Sequence, residues 1–91
     1  MNKTIKETKQ FQRDMKKIAR SGRYNLLDFQ RVVTYLEKGE LLPPTYRDHS
    51  LVGNWKNHRE CHIKPDWLLV YKFDEKSLTL VRMGSHSDLF F

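Results

Sequence analysis

Apolar residues recur at three- and four-residue intervals in the first forty positions and at two-residue intervals further on. Phe11, Met15 and Ile18 form one stripe, and Lys9, Arg13, Lys16, Lys17 and Arg20 take the other faces. That pattern predicts an amphipathic helix whose apolar side enters a core. Thr8 can cap its first turn, and Gly22 is placed to end it after about Arg20. A second stripe, Leu26, Phe29, Val32, Val33 and Leu36, predicts a second helix. Asn25 is its N-cap, Asp28 three residues on makes a partial capping box, and Gly39 ends it. Ahead of both helices, residues 3–7 predict a short edge strand.

Leu41-Leu42-Pro43-Pro44 is a rigid connector, after which the period changes to two. Residues 58–64 alternate, with Arg59, Cys61 and Ile63 on one side and His58, Glu60 and His62 on the other. Lys64-Pro65-Asp66 reads as a turn because proline presets its φ. Trp67 to Phe73 is a mostly apolar central strand, and Leu78 to Met83 returns after the polar turn Asp74-Glu75-Lys76-Ser77. Trp55, Trp67, Tyr71 and Phe73 are assigned mainly to the core. Ser85 with Asp88 can cap one closing helical turn. The order predicts an α+β fold: two N-terminal helices packed on a twisted antiparallel sheet of about four strands, in one domain over residues 1–91. Helices on one face would leave the other free for a site.

Composition narrows the function classes. Hydrophobic residues make up 38% of the chain. The longest apolar run, Trp67 to Tyr71, is far below the length of a bilayer span. The first residues, Met1 to Lys6, lack the apolar core of a signal peptide, and the single Cys61 has no internal disulfide partner. A reducing cytoplasm is the expected compartment. The net charge is +6, with ten Lys/Arg against five Asp/Glu in residues 1–40 and seven against six thereafter. A positive face attracts polyanions.

His49, His62, Asp66 and His86 lie at predicted strand ends in the less basic half. Each can move or hold a proton, and on a basic chain their natural substrate is a phosphodiester. Singly, each has a bland reading: a surface histidine, a cross-strand hydrogen-bonding partner, a turn former, and a histidine at a helix end. A metal site is the competing reading of the cluster. No tight His-x-x-x-His pair is present, and RNA cleavage requires no metal, so no cofactor is expected.

Four stretches carry a resemblance to a known family. They are Tyr46-Arg47-Asp48-His49-Ser50-Leu51, Gly53-Asn54-Trp55-Lys56, Arg59 through Lys72, and Arg82 through Phe90. In this order and spacing they resemble the YafQ branch of the RelE/ParE toxin superfamily. Residues 1–45 match in pattern alone. The resemblance implies an endoribonuclease toxin that cleaves messenger RNA in the ribosomal A site and is silenced by a cognate antitoxin. It implies His49, His62, Asp66 and His86 as the active-site set, Phe90 as the aromatic beside the substrate, and Arg82 as a basic residue beside the site. Glu60, where the better-known branch member has Asp, and the terminal Phe91 are departures.

RNA supplies its own nucleophile, the 2′-OH. The enzyme must take that proton, protonate the leaving 5′-oxygen and stabilise the charged phosphorane. Acid and base catalysis are worth roughly 100- to 10,000-fold. His86 is expected to protonate the leaving oxygen, and either His49 or Asp66 to act as base. Arg82 is the first candidate to hold the phosphate, with Lys56 and Arg47 behind it. Phe90 can stack on a base or close the end of the chain. Lys9, Arg13, Lys16, Lys17 and Arg20 are expected to bind ribosomal RNA. An acidic antitoxin is expected to fold against the basic surface, in a complex that also binds operator DNA. Two alternatives stay open: a non-enzymatic gyrase poison on the same fold, and a plain basic nucleic-acid-binding module.

Overall fold

The computed structural model describes residues 2–90; Phe91 lies outside the described residues. The chain runs β1 (Thr4–Glu7), α1 (Lys9–Ser21), α2 (Leu26–Glu37), β2 (His49–Ser50), β3 (Arg59–Lys64), β4 (Trp67–Phe73), β5 (Ser77–Gly84) and α3 (His86–Leu89). Single 3-10 turns occupy Pro44–Tyr46 and Gly53–Trp55.

The caps explain where the helices begin and end. Thr8 accepts a hydrogen bond from the Phe11 N–H at 2.9 Å, and Gly22 takes the left-handed φ of 69° that stops α1. Asn25 accepts from the Leu27 N–H at 2.9 Å. The partial capping box does not form. The Asp28 carboxylate turns instead to Lys64 at 3.6 Å and Arg31 at 3.8 Å, because β3 brings a cation within its reach. At the other end of the chain, Ser85 and Asp88 form a complete capping box around α3.

The sheet has five strands in the order β1-β5-β4-β3-β2. Neighbours from β2 to β5 are antiparallel, whereas β1 lies parallel to β5, from Thr4 opposite Ser77 to Glu7 opposite Leu80. The expected antiparallel sheet of about four strands is therefore a mixed sheet of five. The reason is topological. The helices follow β1 immediately, so its hydrogen-bonding groups are satisfied only by a strand arriving seventy residues later, and the direction of that strand is not encoded locally.

Phe11, Ile18, Val32 and Leu36 of the helices pack on Cys61, Ile63, Trp67, Leu69, Tyr71, Leu78, Leu80 and Met83. This core covers one face of the sheet. The other face carries a smaller cluster of Leu68, Val70 and Leu89, flanked by Leu51, Trp55 and Val81. Phe73 departs from the expected core: it is 40% exposed, with the Lys3 ammonium 5.4 Å from its ring centroid. At the end of β4 it lies beyond the reach of the helices. Among the described residues, no helix is long and apolar enough to cross a membrane.

Candidate active site

Strand alternation sends Cys61 and Ile63 into the helical core and Glu60 and His62 to the opposite face. Register then assembles the site. His49 stands opposite Glu60, Glu60 opposite Val70, and Val70 opposite Arg82, in one row across four strands. In the next row His62 faces Leu68, and Leu68 faces Gly84. Two residues past Gly84, His86 opens α3. A Cβ on Gly84 would come within 3.1 Å of the Asp88 side chain, so glycine allows α3 to fold back tightly over the strand end.

The result is a line of three imidazoles. His49 and His62 have ring centroids 6.3 Å apart, and His62 and His86 are 5.6 Å apart. Two carboxylates serve the line, one between its first two rings and one beside its last. Glu60 Oε1 lies 3.2 Å from His49 Nε2 and 3.5 Å from His62 Nε2. Asp66 Oδ1 accepts from the His86 backbone N–H at 3.0 Å and sits 2.9 Å from His86 Nδ1. These contacts, led by the His86 backbone N–H, hold the Asp66 carboxyl below its ordinary value. Asp66 is thus tied to His86 through both its backbone and its ring.

All four expected active-site residues therefore meet on one face. Glu60, a departure from the family pattern, joins them. It is 4% exposed and bridges two histidines. Its position on the alternating strand, one pleat from His62, was the available signal. His49, Glu60 and His62 have ligand atoms within 4.8 Å of one another, so this trio has the composition and spacing to hold a transition metal. The link runs through β2–β3 pairing and leaves no motif in the sequence.

The expected phosphate ligands differ in their surroundings. Arg82 is committed to Asp14 of α1, with Nε at 2.9 Å and Nη2 at 3.2 Å. Its third nitrogen has no protein partner among the described residues. Lys56 is exposed beside the Gly53–Trp55 turn. Arg47 is exposed in a groove it shares with His62 and Lys64. Phe90, 41% exposed, packs edge-on to Trp55 at 6.2 Å, so it is anchored without being buried. Lys9, Arg13, Lys16, Lys17 and Arg20 are all exposed on α1. Lys17 reaches Asp88 of α3 at 3.5 Å, which joins the basic face to the segment carrying His86. His58 stays outside the line, its ring edge-on to Trp55 at 5.4 Å.

The family described as "Bacterial toxin of type II toxin-antitoxin system, YafQ" matches residues 3–91. The mRNA interferase toxin YafQ of Escherichia coli K12 is 35% identical over 91 residues, covering 99% of this chain and 98% of that protein. The E. coli DinJ–YafQ toxin–antitoxin complex contains a chain that superposes with a TM-score of 0.88 at 34% identity, over the whole of both chains. A copper-bound mutant toxin from Helicobacter pylori superposes with a TM-score of 0.91 at 43% identity, over 99% of this chain and 100% of that one. With the family match over residues 3–91 and relatives of at least 34% identity along nearly the whole chain, the chain belongs to the YafQ family of bacterial type II toxins.

Proposed function

We propose that this protein is a ribosome-dependent endoribonuclease that cuts messenger RNA in the A site by metal-free acid and base catalysis. The observation that carries the reading is the line His49–His62–His86, with Glu60 bridging its first two rings and Asp66 at its last. Related proteins of this length are mRNA interferases, which places RNA cleavage well ahead of a gyrase poison. A plain binding module has no use for three imidazoles in register.

The roles follow from the partners. His86, held by Asp66 through both its backbone and its ring, protonates the leaving 5′-oxygen. His49, with Glu60 at its Nε2, takes the 2′-OH proton, while Asp66, engaged by both the backbone N–H and the ring of His86, orients the acid. His62, between them, meets the charge that develops on the phosphorane. The free nitrogen of Arg82, with Lys56 and Arg47, holds phosphate oxygens, and Phe90 stacks on a neighbouring base. The exposed cations of α1 dock on ribosomal RNA. An acidic antitoxin silences the toxin in the cytoplasm, as DinJ forms a complex with E. coli YafQ. This chain and its antitoxin together bind operator DNA.

A single-turnover assay with programmed ribosomes, run beside free RNA, tests this. Cleavage that requires the ribosome, survives a chelator and disappears in a folded His86→Ala protein is the expected result. Wild-type rates from that variant would overturn it.

A further inference from the structure

His49 stands on a strand of two residues at the edge of the sheet, and its own side chain is 51% exposed. Its two-residue ladder is extended only by the Leu51 N–H donating to the His58 carbonyl at 2.9 Å, a short purchase for an edge strand. A further hold lies on the far side of the sheet. Asp48, the preceding residue, points the other way by strand alternation and is tied by three hydrogen bonds. Arg59 of β3 donates to both carboxylate oxygens, with Nε and Nη2 each at 3.2 Å. The Tyr71 hydroxyl of β4 donates to the same carboxylate. Tyr71 is fully buried and belongs to the helical core, so this anchor is as rigid as the core itself. Burial, reinforced by Asp48, pushes the Tyr71 phenol up, and it stays a donor at every working pH. The Arg59 guanidinium, raised first by Asp48, likewise stays charged.

We propose that Asp48 is a positioning residue: clamped by Arg59 and Tyr71 beneath the sheet, it fixes the strand whose next residue, His49, meets Glu60 above it. The clamp rests on the nuclease reading only for its kinetic consequence; its structural consequence is independent. Without it, His49 swings with a loose edge strand and leaves Glu60. Misplacement of a proton-transfer group by about 1 Å lowers the chemical step by as much as about 100-fold.

Two variants of the full chain test the clamp, Asp48→Asn and Tyr71→Phe, the second retaining the ring that fills the core. Hydrogen exchange of the backbone amides of 15N-labelled protein reports each strand separately. In both variants the Leu51 amide, bonded to the His58 carbonyl at 2.9 Å beside His49, should exchange about ten-fold or more faster while the amides of β4 hold their rates. On programmed ribosomes the single-turnover rate should fall about ten- to a hundred-fold with unchanged ribosome affinity. In a His49→Ala background, Asp48→Asn should cost nothing more. Should Asp48→Asn fail to fold, Tyr71→Phe decides on the same readouts. Unchanged exchange of the Leu51 amide in a folded variant overturns the clamp, as does an equal rate loss in the His49→Ala background. A wild-type protein that cuts no RNA defeats the nuclease reading, and the amide exchange still judges the clamp.

Discussion

Replacing Asp14 by alanine should cost this domain about 2.5 kcal/mol. Asp14 is 8% exposed in the middle of α1 and accepts four hydrogen bonds. Two come from Arg82, one from the Met83 backbone N–H at 3.0 Å, and one from Gln10 at 3.2 Å. Removing one partner of a fully buried ion pair costs roughly 3–5 kcal/mol. The Arg82 side chain is 23% exposed, so water recovers part of its solvation, and the lower end applies. The orphaned Met83 N–H is buried and recovers nothing, which keeps the cost near ~3 kcal/mol. Alanine returns about 0.5 kcal/mol through its better helix propensity. For a domain of this size a net loss of about 2.5 kcal/mol lowers Tm by about 10–20 °C. Thermal unfolding followed by circular dichroism measures it directly. Asp14→Asn, which keeps one acceptor oxygen, should lose less. The double variant Asp14→Leu/Arg82→Met should return to within about 1.5 kcal/mol of the wild type, because apolar groups replace the pair without leaving a charge unpaired. A Tm drop below about 4 °C for Asp14→Ala would show that the pair is dispensable. The folded double variant also separates the two roles of Arg82: if its free nitrogen holds phosphate, cleavage falls although stability is regained.

Other perturbations follow from the same geometry. His86→Ala should abolish cleavage and growth inhibition with the fold intact, read by single-turnover cleavage and circular dichroism; His49→Ala should be severely impaired on the same assays. Charge reversal at two or three of Lys9, Arg13, Lys16, Lys17 and Arg20 should weaken ribosome binding and flatten its salt dependence, while cleavage at saturating ribosome survives; an unchanged salt slope removes this face from the interface. The depressed Asp66 carboxyl stabilises the fold above its unfolded pKa of about 3.9, and that contribution is lost as pH falls through the lower folded value. The stability gap between wild type and Asp66→Asn, from urea titrations, should therefore be fullest above about pH 4 and should close on further acidification. Gly84→Ala should displace α3 and slow cleavage more than it weakens ribosome binding, since the added Cβ meets Asp88 at 3.1 Å.

What the sequence determined by itself was everything encoded within a few residues. The stripe of Phe11, Met15 and Ile18, with Thr8 before it and Gly22 after it, specified α1 because periodicity and caps are local. The same holds for the alternation that put Glu60 and His62 on one face and for the capping box that opens α3 at His86. Family likeness named the histidines; they were expected at strand ends, but only His49 begins a strand, His62 lying inside β3 and His86 opening α3. Tertiary structure decided what depends on register between distant segments. It laid β1 parallel to β5, drew Asp28 away from its cap toward Lys64, and left Phe73 uncovered. It placed Glu60 between two imidazoles and gave Arg82 to Asp14, 68 residues away. Such pairings turn on which strand edge meets which and where a bulge such as the one between Val70 and Tyr71 shifts the count. A buried carboxylate carries no mark in the sequence of the cation or imidazole that will meet it, because its partner is chosen only when the sheet closes.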